Sequence, residues 1–332
     1  MVLDKYEMIQ IQKHLPNPQL YPVVASEEYL STVNGVVQKG YFTEGEKILP
    51  FVVRKRACFK WIQLDCIPYG CKTPEEEQQF LDNVVKYIRA NMAVCYITTT
   101  NTAIFNTYPT DAYYCKFGTY EVDLTLTEDE LFANLHSKHR NVVKKAQTLG
   151  LIVKHGSQCA KAAIEIMMET FGRQNKISGI SYGLIEKMKP LGDYADYWIV
   201  KTPEGEIQGS AIFYWSPEQT CYYMHGGSAA HTSAGAMNLL MWEAMKEMKA
   251  RGVKIFDFVG ARVTTEPGSK LEGIQRFKSR FGATMRVGYL FRVVTNKFEY
   301  FVYNSLIKLY FILKEHKIPV DGITEERKKG NM

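Results

Sequence analysis

The chain has 332 residues, a formal net charge of +6 and 46% hydrophobic residues. This length suggests two domains of ordinary size, and so much apolar sequence excludes a disordered chain. The start carries no signal-peptide pattern. The sequence contains no run of roughly 18 apolar residues, so no transmembrane helix is predicted. The 7 cysteines are odd in number and lack metal-ligand spacing, so we expect reduced thiols in a cytoplasmic protein.

The first part of the chain is predicted to alternate strands and helices. Thr73 is a candidate N-cap for a helix that runs to about residue 91, with proline and glutamates in its first turn. Residues enriched in β-branched and aromatic side chains predict strands. These predicted strands cover 6–11, 48–64, 94–98 and 120–126.

A capping box formed by Thr127 and Glu130 predicts that a new helix begins there. Its apolar stripe is interrupted at Lys138 and His139, which indicates either a break between two helices or a side chain aimed into a cleft. Gly150 is expected to end the helix. The apolar positions of the stripe are Leu131, Leu135, Val142, Ala146 and Leu149.

The second part of the chain is predicted to hold a strand, a helix, a three-stranded meander, a helix, a strand and a short basic helix. Ligands in open α/β sheets bind at the carboxyl ends of the strands, so we expect a site after the strand at 254–260. The other predicted ranges are 151–154, 157–173, 197–202, 207–215, 220–225, 236–251 and 273–282.

The aromatic helix predicted at 297–317 is expected to pack on the first domain, with a membrane-surface role as the alternative. The charged tail at 325–332 is predicted to be frayed.

Four motifs, in this order, resemble the FemABX family, and the resemblance covers roughly residues 120–290. They are the basic segment 138–146, Gly226-Gly227-Ser228, Asp257-Phe-Val-Gly260, and Gly273 to Gly282 with its Phe-Lys pair. The family is known for non-ribosomal aminoacyl transfer onto peptidoglycan precursors.

The resemblance implies an α/β fold with a mixed sheet, built from tandem GNAT-like acyl-N-acyltransferase domains. We expect an N-terminal domain at 1–123, with the C-terminal helix 297–332 packed on it, and a second domain at 124–296. No heptad run predicts the coiled-coil arm of the longer family members.

Two residues are candidates for catalysis. Phe277 and Phe281 lie four residues apart and would anchor a helix face that holds Lys278 at the cleft. The resemblance implies that Lys278 stabilises negative charge on the reacting carbonyl oxygen; the alternative is a surface lysine on a core helix. Asp257 is predicted to orient a cation or the incoming amine, or to fix its loop by a hydrogen bond.

The candidate substrate-binding residues are Arg173, Arg140, Lys144, Tyr223, His225 and Ser228. The cations suit phosphate or carboxylate groups, although a helix-dipole contact and a solvated basic face are open alternatives. Tyr223 and His225 are two positions apart on one strand and are therefore predicted to share a face. His225 is interpreted as a proton shuttle or as a hydrogen-bonded structural residue.

These patterns predict an acyltransferase or aminoacyltransferase that forms an amide on the amine of a cell-wall precursor. The resemblance implies aminoacyl-tRNA as donor and a phosphate-bearing acceptor, and we expect neither a cofactor nor a metal. One alternative is an acyl-coenzyme A N-acyltransferase acting on a polysaccharide or lipid intermediate, although 231–236 lacks the full glycine-rich pattern for its pyrophosphate. The second alternative is a non-catalytic module that binds an anionic ligand. The sequence leaves open whether the protein contacts the inner face of the membrane.

Overall fold

The structure is a computed structural model that describes residues 8–174, 180–315 and 321–332. The strands are β1 (Gln10–Gln12), β2 (Val36–Glu44), β3 (Lys47–Arg56), β4 (Phe59–Leu64), β5 (Tyr96–Thr99), β6 (Tyr113–Asp123), β7 (Ile152–His155), β8 (Ala195–Lys201), β9 (Ile207–Trp215), β10 (Thr220–Ser228), β11 (Ile255–Asp257) and β12 (Thr284–Val294). The α-helices are α1 (Glu27–Thr32), α2 (Pro74–Asn91), α3 (Glu128–Asn134), α4 (Ser137–Thr148), α5 (Ala160–Arg173), α6 (Gly183–Met188), α7 (Ala236–Ala250), α8 (Lys270–Ser279), α9 (Lys297–Glu315) and α10 (Gly322–Lys328).

All these strands form one mixed sheet in the order β1-β2-β3-β4-β5-β12-β6-β11-β10-β9-β8-β7. Parallel pairs occur twice, between β4 and β5 and between β10 and β11, one pair in each half. The predicted α/β class with a mixed sheet is therefore confirmed.

The two halves exchange a strand at the centre of the sheet. β6 follows β5 in the chain but pairs with β11, whereas β12 follows β11 but pairs with β5. The exchanged strands pair antiparallel with each other from Glu121–Thr284 to Tyr113–Arg292. The domain bounds at 1–123 and 124–296 thus fall inside a continuous sheet, and they stay a prediction.

Helices cover both faces of the second half. α5 contacts β9 and β10 on one face, where Ile164 and Met167 are fully buried. α7 lies on the other face, where Leu240 and Met241 are fully buried. The sheet is sandwiched there because alternate residues of its strands carry apolar side chains to each face.

The interruption of the predicted apolar stripe is a break between two helices. α3 ends at Asn134 and α4 begins at Ser137, with the predicted capping box in place at Thr127. The break changes which residues of α4 face the core. Val143 is buried, whereas the uninterrupted stripe predicted that Val142 would be. The predicted N-cap of α2 is confirmed, since the Thr73 hydroxyl accepts a hydrogen bond from the backbone of Glu76 at 3.2 Å.

The charged tail is ordered, and the prediction of a frayed end is wrong. Ile323 is buried, and the fully buried carboxylate of Glu326 pairs with Arg262. Arg327 donates to the Tyr114 carbonyl at 2.7 Å. The charged composition of the tail indicated side chains in contact with water. In the structure these charges are instead paired within the fold.

The last long helix contacts the first half of the sheet. The rings of Tyr300 and Tyr303 lie 5.3 and 5.8 Å from that of Tyr96, and Tyr303 lies 5.7 Å from Trp61. The predicted residues 316–317 of this helix, like 6–7 of the first strand, lie outside the described residues. Within the described ranges, no helix is long and apolar enough to cross a membrane, and no two consecutive helices are long enough to form a coiled-coil arm.

Candidate active site

Lys278 is held at the carboxyl end of β11. Its helix α8 is anchored by Phe281, which is fully buried, and by Phe277, which packs on the same cluster. The ammonium donates to the carbonyl oxygens of Val259 at 2.6 Å and Gly260 at 2.8 Å. The residue is 8% exposed, so the alternative of a surface lysine is wrong.

The loop beneath this lysine is strained. Val259 and Gly260 have φ angles of 48° and 66°, and the left-handed region is a genuine outlier for a β-branched residue. The Asp257 carboxylate accepts from the Val259 amide at 2.7 Å, while Lys278 binds the carbonyl of the same residue. Both candidate catalytic residues therefore hold one strained residue from its two sides, and a strained conformation persists only where the surrounding structure fixes it.

Burial shifts the titration of both groups. It raises the pKa of the Asp257 carboxyl to about 6, against the opposing hydrogen bonds from Thr119 and Val259. It lowers the pKa of Lys278 to about 8, against the charge of Asp257, which favours the ammonium. At neutral pH the site therefore holds mainly a carboxylate and an ammonium. Because both pKa values lie close to 7, either group can gain or lose a proton near neutral pH.

Arg173 and Ser228 come together where α5 meets the end of β10. The guanidinium donates to the Ser228 carbonyl and pairs with Glu169 one helical turn earlier. The Ser228 amide in turn donates to the Thr170 hydroxyl at 2.9 Å. Arg173 remains about one-third exposed, at 35% of its side chain, so it presents a cation at the rim of this strand end.

The other two predicted cations make local contacts. Arg140 donates to the carbonyl oxygens of Ala133 and Leu135, at the end of α3. The exposed Lys144 lies over the Phe132 ring at 5.7 Å. Their assignment to substrate stays a prediction, because these contacts describe a helix end and a cation–π pair.

Tyr223 and His225 face opposite sides of the sheet, and the prediction that they share a face is wrong. The pairing of β10 with β9 shifts between them, so a β-bulge inserts one residue and reverses the alternation. Tyr223 packs near Phe213, with ring centroids 5.6 Å apart. His225 lies on the side of Lys187, and burial together with that charge lowers the pKa of His225 to about 4. The imidazole is therefore neutral at pH 7.

Several residues around Asp257 are not among the predicted site residues. Thr119 donates its hydroxyl to the Asp257 carboxylate across a separation of 138 residues. Tyr222 is paired in register with Asp257 and is 7% exposed. Arg286 binds Glu121 at 2.8 Å on the strands alongside. No local motif links Thr119 or Arg286 to this site, because the exchanged strands β6 and β12 bring them there, while Tyr222 lies on the neighbouring strand β10.

A large cavity lies at the opposite end of β8–β10, and neither Lys278 nor Asp257 is among its lining residues. Its volume is about 1370 Å³, and its walls include Tyr21, Leu191 and Trp215. Arg251 and Asp196 form an ion pair at its side, with nitrogen and oxygen 3.0 Å apart. Because no candidate catalytic group reaches it, we place the chemistry at Lys278 and not in this cavity.

The start of α7 is where an acetyltransferase binds the pyrophosphate of coenzyme A on backbone amides. Here Gly235 has a φ of 83°, and a Cβ on it would overlap the Val142 carbonyl oxygen of α4. One side of this helix start is thus covered by α4. The described residues hold no group of three potential metal ligands.

Residues 133–279 match the sequence family described as an acetyltransferase (GNAT) domain. A search of curated proteins finds no match. Among solved structures, FemX shares 13% identity with a TM-score of 0.66, over 84% of this chain and 94% of that chain. The C-terminal domain of a putative lysylphosphatidylglycerol synthetase from Agrobacterium fabrum shares 14% with a TM-score of 0.55, over 89% and 93%.

A third solved structure, L-PGS from Bacillus licheniformis, shares 17% identity with a TM-score of 0.50, over 87% of this chain and 93% of that chain. At these identities the structures establish the fold alone, and the match to a GNAT acetyltransferase domain supports acyl transfer. The chain is an acyltransferase that carries a GNAT acetyltransferase domain in a FemABX-like GNAT fold.

Proposed function

We propose that the chain transfers an aminoacyl group from aminoacyl-tRNA to an amine of a phosphate-bearing cell-wall precursor. The observation that carries this proposal is the buried ammonium of Lys278, fixed beside the Asp257 carboxylate at the end of β11. Because FemX shares the fold, this class of acyltransferase activity is the first that we would test.

In the proposed reaction the acceptor amine attacks the ester carbonyl of the donor. A carbon–nitrogen bond forms, the ester carbon–oxygen bond breaks, and the amine proton leaves with the ribose oxygen. Lys278 uses two of its three hydrogens on Val259 and Gly260. The third donates to the carbonyl oxygen as negative charge develops there.

Asp257 has two roles in this scheme. Its charge keeps Lys278 protonated, since it raises the pKa that burial lowers. Its remaining acceptor capacity orients the attacking amine, because a carboxylate offers about four lone-pair sites. Positioning and electrostatics supply the rate enhancement, without a covalent enzyme intermediate.

The partly exposed Arg173 supports an anionic substrate. Its guanidinium lies at the end of β10, the strand that runs parallel to β11. In the proposed arrangement a phosphate or carboxylate of the acceptor binds this cation, while the reacting carbonyl of the donor lies at Lys278. Such an arrangement suits a sugar-nucleotide or muropeptide acceptor.

The test is transfer of a labelled amino acid from charged tRNA to UDP-MurNAc-pentapeptide. We expect Lys278→Ala to lower kcat about 10²- to 10³-fold, the range for loss of one oxyanion donor. Lys86→Ala, an exposed lysine on α2, is the matched control and should keep full rate. An active wild type whose Lys278→Ala variant is equally fast would refute the assigned role.

An acyl-coenzyme A N-acyltransferase is the second candidate, favoured by the match to an acetyltransferase domain. The contact of α4 with one side of the start of α7, together with the incomplete glycine-rich pattern at 231–236, weighs against it. Calorimetric titration separates the two. Micromolar binding of acetyl-coenzyme A, with no binding of the muropeptide, would reverse the order of these candidates.

A further inference from the structure

Helix α9 carries a row of large apolar side chains that the rest of the described protein leaves exposed. Phe298 is 77% exposed, Phe301 69%, Leu309 52% and Leu313 72%. At about 3.6 residues per turn, these four residues lie on one side of the helix. Leu306 and Ile312 extend the same side and are 51% and 43% exposed.

The opposite side of α9 accounts for its attachment to the sheet. Tyr303 contacts Phe59 at 5.4 Å and Trp61 at 5.7 Å between ring centroids. Tyr300 contacts Tyr96 at 5.3 Å. The apolar row is therefore not the packing face of the helix, and a contiguous exposed patch of this kind marks an interaction site.

Basic side chains border the apolar row on both sides. Lys297 and Lys308 are exposed and precede the row around the helix axis. On the far side, the guanidinium of Arg56 lies over the ring of Tyr310 at 5.3 Å. Glu299 is the acidic side chain of this region, so positive groups outnumber it among the described side chains.

We propose that α9 is an interfacial helix that binds the surface of a membrane containing anionic lipids. An apolar face set between basic edges lies in the plane of the interface, with its cations among the headgroups. A second copy of the chain fits less well, because a two-fold contact through this face would set its positive edges against each other. The inference concerns a surface outside the site and does not depend on the proposed substrate.

Vesicle co-sedimentation of the full chain tests this proposal. We expect binding to vesicles of equimolar phosphatidylcholine and phosphatidylglycerol, weakened by salt. Phe301→Gln with Leu309→Gln should weaken it at least about tenfold, since each removes apolar surface from the interface. The matched control, Val37→Gln with Leu149→Gln, changes side chains that are 54% and 47% exposed elsewhere and should bind as wild type.

The basic edges have a separate readout. Arg56→Gln with Lys308→Gln should weaken binding to the anionic vesicles and leave binding to pure phosphatidylcholine unchanged. All of these side chains are on the surface, so unaltered thermal unfolding confirms that each variant is folded. Equal vesicle binding by the apolar double variant overturns the proposal. So does a wild-type dimer that this variant dissociates, which would assign the face to a second copy.

Discussion

Replacing Asp257 by asparagine should lower the pKa of Lys278. The carboxylate and the ammonium are joined through Val259, by hydrogen bonds of 2.7 Å to its amide and 2.6 Å to its carbonyl. With standard backbone dimensions the two charges are at most about 9 Å apart. At an effective dielectric constant of about 20, their attraction is about 2 kcal/mol.

That energy corresponds to about one to one and a half pH units. Loss of the carboxylate charge removes an interaction that favours the ammonium, so the pKa must fall from its value of about 8. The neutral form of Lys278 then becomes abundant near pH 7, and the alkaline limb of the rate profile moves to lower pH.

The direct assay is a carbon-13 NMR titration of the lysine side chains, assigned by comparison with a Lys278→Arg variant. The exposed Lys86 serves as an internal reference, and its titration should not move. Transfer rates across the same pH range give the second readout. A Lys278 pKa that stays the same or rises in Asp257→Asn would show that the two groups are not electrostatically coupled, and the reasoning would be refuted.

Three further outcomes are expected. Thr119→Val removes a donor that lowers the pKa of Asp257, so the acid limb of the rate profile should move up by about one pH unit. Lys187→Met should raise the pKa of His225 from about 4, as proton NMR of the imidazole would show. Gly235→Ala should destabilise the protein by about 1–3 kcal/mol in denaturant unfolding, because its φ is 83° and Val142 blocks the added carbon.

Conservative changes separate these effects from general damage. Thr119→Ser keeps the hydroxyl and should keep the acid limb in place. Lys187→Arg keeps the charge and should leave the pKa of His225 low. Gly273→Ala, in a helix where an added carbon meets nothing within 4 Å, should be neutral or slightly stabilising. Equal destabilisation by Gly273→Ala and Gly235→Ala would contradict the steric argument.

Local patterns were sufficient to predict the elements that position Lys278. Phe277 of α8 and Phe281, which follows the end of the helix, pack on one apolar cluster, and the capped starts of α2 and α3 follow from side chains within one turn. β9 was predicted at its observed bounds, 207–215, because turn residues flank it. In each case the deciding interaction lies within a few residues along the chain.

The failures have non-local or subtle causes. The bulge before His225 is a pairing shift with β9, and alternation along β10 alone cannot show it. The tail was misjudged because Glu326 is neutralised by Arg262, 64 residues earlier in the chain. Thr119 was missed because β6 pairs with β11 rather than with the strand that precedes it in the chain.

Because the two halves exchange strands, the candidate site depends on residues from both halves of the chain. β6 precedes residue 124, yet it lines the edge of β11 and supplies the hydroxyl that binds Asp257. Without β6, Asp257 would lose one of the two hydrogen bonds that hold down its pKa, and β11 would present an unpaired edge. Without β12, β6 and β5 would each lose a neighbour as well. A second half separated at 123 would therefore keep Lys278 but lose one of the two hydrogen bonds that favour the ionised form of Asp257, and this would weaken the charge that favours the protonated lysine.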